Sequence, residues 1–135
     1  MATTTAQLTL SSSDLTSDAL SLTKTATLTV AGSSTTGLSE TSGIARKKFN
    51  ADPAVANIVA EADDYTDNRA HKVYLFNTST TSTEFFTVKV GTTIVGRLYA
   101  GDWAFIPWAG ASDVTVTPSE TTDMTIEFAI IADNT

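Results

Sequence analysis

Cysteine is absent from these 135 residues, and histidine occurs once, at His71. Those two scarcities remove most metal and nucleophile constellations. Zinc centres draw on Cys and His, and a nucleophilic Ser or Thr needs a base held beside it. With no disulfide to form, stability rests on packing, and nothing points to an oxidising or a reducing compartment. Proline is scarce, with 3 residues, and no apolar run approaches the length of a membrane span. Charge is sparse as well: 17% of residues are Asp, Glu, Lys or Arg, so hydroxyls and amides carry much of the solubility. The balance is acidic, −7 at neutral pH, which argues against a dedicated nucleic-acid binder, since such proteins carry a basic face. The polar start Ala2-Thr3-Thr4-Thr5 lacks the plan of a signal peptide, so the mature chain is expected to begin at or near Met1.

What the chain has in excess is threonine, roughly a fifth of all positions, which points to β structure because a β-branched side chain favours extended backbone. From Leu22 to Val30, Thr23, Thr25, Thr27 and Thr29 alternate with Lys24, Ala26 and Leu28. A strand sends successive side chains to opposite faces, so this stretch has one dry face and one hydroxyl face. The length suits one domain over residues 1–135 with a core of useful size.

Along the chain, strands are expected over Ala6–Leu10 and Ala19–Val30, separated by turn chemistry at Ser11-Ser12-Ser13-Asp14. Gly32 to Gly37 breaks the second of them. Arg46-Lys47-Lys48 is the one concentrated positive patch, read either as a solvated strand edge or as a contact with an acidic neighbour. Asp52 to Asp64 fits a short helix or an irregular strand, because Val55, Ile58, Val59 and Ala62 lie at near-helical spacing in a short apolar run. Further strands are expected at Lys72–Phe76, Glu84–Val90, Ile94–Tyr99, Trp103–Trp108, Val114–Thr117 and Met124–Ile131, with tight turns at Gly91-Thr92-Thr93 and Ala100-Gly101-Asp102. Short strands at this spacing predict an all-β, antiparallel sandwich, jelly-roll-like, with at most one short helix.

No catalytic, cofactor-binding or metal residues are assigned. Five residues separate Gly101 from Pro107, as in the second motif of cupins, but His71 is alone and the several His and a Glu of a cupin metal site are missing. Asp63, Asp64 and Asp67 offer oxygen ligands, yet Tyr65 occupies a position an EF-hand needs and no glycine follows; a solvated acidic turn is expected. No G-x-S-x-G elbow and no phosphate-cradling glycine loop occurs. Trp103 and Phe105 share one strand face, and Trp108 takes the opposite face unless Pro107 bends the chain. Such aromatics serve as core, subunit interface or sugar platform. The candidate interface set is Arg46, Lys47, Lys48, Trp103 and Trp108.

Three stretches, Leu15–Leu22 with the Thr-rich strand after it, Val73–Thr78 and Gly96–Trp108, carry a resemblance. Together they resemble small virion structural proteins of tailed bacteriophages, particularly marine and cyanobacterial ones. The resemblance implies a non-enzymatic β-sandwich, foremost a capsid decoration (cement) protein. Such a protein would be made in the host cytoplasm, carried on the virion surface and seated as a homotrimer on the major capsid protein or another virion protein. Tail, neck or fibre-adaptor roles are the runner-up, and a carbohydrate-binding module is the alternative from another class. Neither nucleic acid nor membrane is expected as a partner. Residues 1–12 are expected to form an N-terminal arm open to exchange with a neighbour, since residues 2–10 alternate at a free chain end.

Overall fold

The computed structural model describes residues 3–15, 17–29, 40–52 and 57–133. In chain order its strands are β1 (Thr3–Ser12), β2 (Leu20–Thr29), β3 (Glu40–Thr41), β4 (Ala45–Phe49), β5 (Ile58–Ala60), β6 (His71–Asn77), β7 (Phe85–Val90), β8 (Thr93–Tyr99), β9 (Trp103–Trp108), β10 (Val114–Pro118) and β11 (Met124–Ala132). A 3₁₀ turn, Ala62–Asp64, stands between β5 and β6. The all-β reading holds.

From β4 onward the pairing is nested. β7 pairs with β8, β6 with β9, β5 with β10 and β4 with β11, all antiparallel. Rolled up, this nest makes two sheets, β5-β10-β7-β8 and β3-β11-β6-β9, with β4 continuing beside β11 on the β3 side. Eight strands nested in this way across two sheets are a jelly roll. β1 and β2 stand apart as a two-stranded sheet, in unbroken register from Thr3↔Thr29 to Ser12↔Leu20.

Alternation explains which faces close. Along β6, His71, Val73, Leu75 and Asn77 are buried while Lys72, Tyr74 and Phe76 are half-buried on the other face. β10 buries Val114, Val116 and Pro118 by the same rule. Their inward side chains meet Phe86, Val88, Leu98, Trp108, Ile126 and Ile130 in one core between the sheets. Each large side chain buried there contributes about 1.5–3 kcal/mol of transfer free energy. The turns match their residues: Gly91, between β7 and β8, has φ +57°, and Gly101, before β9, has φ +79°. Both lie in the left-handed region that a side chain disfavours. Pro107 sits inside β9 without ending it, because β9 is an edge strand and a missing N–H costs nothing on the open side.

Between Asp52 and Asp64 the described part follows the irregular-strand alternative. It is a three-residue strand followed by one 3₁₀ turn, and the register against β10 shifts between Val114 and Thr115. Residues 53–56, which carry the expected helix start, and the Gly32–Gly37 break lie outside the described residues.

Candidate functional site

The two polar side chains at the ends of β6 resemble site residues on paper and are structural in fact. His71 is fully buried. Its Nδ1 accepts the backbone N–H of Asp133 at 3.0 Å, and Nε2 lies 2.8 Å from the carbonyl oxygen of Thr66. A carbonyl only accepts and an amide only donates, so Nε2 is the ring's donor and Nδ1 its acceptor. Tyr65 and Trp108 pack around it, with ring centroids 5.6 and 5.4 Å away. At the other end, Asn77 is also fully buried. Its amide nitrogen donates to the Leu98 carbonyl at 3.0 Å and its amide oxygen accepts the Ser79 N–H at 3.0 Å. Its backbone joins the β8–β9 turn through Asp102 and Gly101. Ring and amide are thus committed to holding loops against the sandwich.

Asp63 and Asp64 lie exposed in the 3₁₀ turn and Asp67 is exposed after it. Among the described residues no three His, Cys, Asp or Glu side chains stand close enough to share a metal ion. The described residues also contain no helix long and apolar enough to cross a membrane.

The exposed chemistry is concentrated elsewhere, on the outer face of the β4-β11-β6-β9 sheet. Cross-strand pairing aligns Tyr74 with Phe105 and Phe76 with Trp103 on that face. The β1–β2 hairpin lies over it and leaves an open cleft of about 660 Å³. Tyr74, Trp103, Phe105, Ala129 and Ile131 line one wall, and Ala6, Leu8, Lys24 and Ala26 line the other. Thr41, Gly43 and Ile44 close one end. The hairpin is two-faced. Pairing sets Ala6, Leu8 and Leu10 opposite Ala26, Lys24 and Leu22 on one face, and Thr5, Gln7 and Thr9 opposite Thr27, Thr25 and Thr23 on the other. Only the base of the apolar face is covered: Leu28 is buried, whereas Leu10 is 45% exposed.

Beside the cleft, one carboxylate ties β4, β6 and β11 together. Glu127 accepts from Arg46 Nε at 2.8 Å through one oxygen and from the Tyr74 hydroxyl at 3.2 Å through the other. Burial first, then the Glu127 hydrogen bond and charge, push the Tyr74 phenol above its usual range. Nearby, Lys72 donates to the Ala70 carbonyl at 2.6 Å; burial lowers its pKa, opposed by the charge of Asp133.

The structure separates the five expected interface residues. Arg46, Lys47 and Lys48 lie in the middle of β4, exposed beside β11, with Lys47 5.0 Å from the Phe49 ring centroid. Trp103 is 55% exposed at the cleft. Trp108 is 3% exposed, inside the core, and its indole N–H donates to the Ser112 carbonyl at 2.8 Å, so it presents no surface to a partner. The parity that divides the two tryptophans is legible in the sequence; the burial of Asn77 is not, because Asn77 opens the polar run Asn77–Ser82. Compared with protein families, curated proteins and solved structures, the chain matches none.

Proposed function

We propose that the chain is a non-enzymatic structural protein of a tailed-bacteriophage particle, a capsid decoration protein that seats as a homotrimer on the major capsid protein. The observation that carries an assembly role is the exposed apolar chemistry: a leucine-faced hairpin and an aromatic sheet face, both mounted on a rigid jelly roll. The buried polar side chains at the two ends of β6, His71 and Asn77, are occupied inside the fold. The phage setting is drawn from the resemblance of Leu15–Leu22, Val73–Thr78 and Gly96–Trp108 to virion proteins. In this role the protein clamps: many modest contacts across shell joints raise avidity without one tight site.

Gold-labelled antibody to the chain, applied to tailed-phage particles from the lysate in which it is made, tests this. Label on heads supports decoration, label on tails or necks moves the assignment to the runner-up, and unlabelled virions overturn it. A second reading, a carbohydrate-binding module, is favoured by one observation, the exposure of Trp103 beside Phe105 and Tyr74. Glycan-array binding that Trp103→Ala abolishes in a folded protein would establish it. Trp108→Ala is the wrong probe, since it opens the core.

A further inference from the structure

The β1–β2 hairpin is longer than the surface it covers. Leu8 lines the cleft, and the strand runs on to Ser12, a further ~13 Å at the rise of an extended chain. On that outer length Leu10 and Leu20 lie exposed on the face that is buried at Leu28. Among the described residues, neither outer edge of the hairpin has a strand beside it. Two strands alone are marginal in water, so an ordered ten-pair ladder with an open leucine face calls for a third surface.

We propose that this face docks onto a second copy of the same chain, the hairpin tip of one copy seating at the β3–β4 corner of the next. The proposal rests on the reading of the chain as an assembly subunit and names the contact it uses.

Three observations select a second copy. The first is apolar match: Leu15 at the tip and Ile44 between β3 and β4 are each 73% exposed, the highest values among the large apolar side chains described. The second is charge. The tip carries Asp14 and Asp18 around Leu15, whereas Ile44 is followed by Arg46, Lys47 and Lys48. Copies bearing −7 each repel unless opposite patches meet; this arrangement sets the acidic end of one copy against the basic strand of its neighbour.

The third is area. Leu8, Leu10, Leu15, Leu20, Ile44 and Trp103 together expose on the order of 600 Å² in each copy. In a twofold pair, where each copy gives one hairpin and receives one, about 1,200 Å² leaves water, the lower edge of stable interfaces; in a closed ring each joint removes about half of that. Both a twofold pair and a closed ring satisfy that rule of exchange. The exchanged unit is the whole hairpin, because β1 is already paired along its length with β2.

The cysteine-free chain gives a clean test. Leu15→Cys and Ile44→Cys are made separately in the full chain, one of them labelled with nitrogen-15, mixed in equal amounts, mildly oxidised and read by intact mass. The expected result is mixed disulfide well above the half that random pairing yields. Random proportions, or no cross-link, overturn the proposal. In parallel, light scattering on the unmodified chain should give a multiple of the 14.2 kDa mass. Leu10→Asp with Leu20→Asp should weaken association at least tenfold while the melting transition of the sandwich is kept. A monomer at every concentration overturns the docking even if antibody still labels phage heads; an oligomer with random cross-linking overturns this contact alone. Specific cross-linking with unlabelled virions would instead overturn the phage assignment and keep the contact.

Discussion

The jelly roll and the β1–β2 hairpin obey one alternation rule and come to opposite ends. In β6 the inward residues Val73 and Leu75 are fully buried, because a second sheet stands opposite them. In the hairpin the equivalent residues Leu8, Leu10 and Leu20 stay exposed, and only Leu28 closes. Periodicity therefore says which face of a strand is apolar but not whether the chain itself supplies the cover. Where it does, the face is core; where it does not, the face is the place to look for a partner.

The comparison breaks most easily at the core. Phe86 is fully buried, and Phe86→Ala should cost about 3–5 kcal/mol in urea unfolding. Leu10→Ala, measured at concentrations that keep copies apart, should change stability by no more than about 0.5 kcal/mol. Equal costs would mean the hairpin belongs to the core after all.

A smaller effect sharpens the jelly-roll side. Gly110 has φ +83°, and a Cβ there would stand 2.8 Å from the Thr66 carbonyl oxygen and 3.1 Å from Nε2 of His71. Gly110→Ala should cost about 1–3 kcal/mol, seen as a lowered melting temperature. An unchanged melt would show that the loop over His71 yields freely.

The smallest effect lies at the boundary of the two regions. Tyr74 has a folded pKa raised above 10.0, so its stabilising contribution is present below that value and is lost as pH rises through the folded one. Lys72 has the opposite sign. Its folded pKa is lowered, so the penalty for burying its charge is present at neutral pH and fades as pH rises through the folded pKa towards the unfolded value. Tyr74→Phe should therefore flatten the alkaline fall of the melting temperature above about pH 10, leaving the Lys72 contribution visible. A fall as steep as in the unaltered chain would assign it to other groups.

Much of this architecture is legible in the residues. The threonine alternation marks β2, the glycine turns mark β7–β8 and β8–β9, and the two faces of Trp103 and Trp108 follow from counting. Three things are not legible, each for a physical reason. β5 contributes only Ile58, Val59 and Ala60, and a three-residue strand has no period to detect. Asn77 is polar and neighboured by Thr and Ser, and its burial is settled by carbonyls that arrive from Glu84, just before β7, and from Leu98 in β8. The cleft exists only because the hairpin lies over β6, β9 and β11, a long-range placement that no local pattern encodes. His71 lies in a strand, and its two ring partners, Thr66 and Asp133, come from both sides along the chain.

The nested pairing also orders events in time. During synthesis the hairpin can close as soon as Thr29 is out, since every partner of β1 is local. β4 must wait for β11, and Phe49 meets Met124 only when nearly the whole jelly roll has emerged. Loops that long make late closure slow, because their entropy is lost before the contacts form. Until it arrives, the space between β4 and β6 is an open slot for any extended apolar chain, and the strand that fills it, Met124–Ala132, is itself apolar enough to pair wrongly with a neighbour. Crowded nascent chains are thus most vulnerable until Met124–Ala132 has emerged and paired.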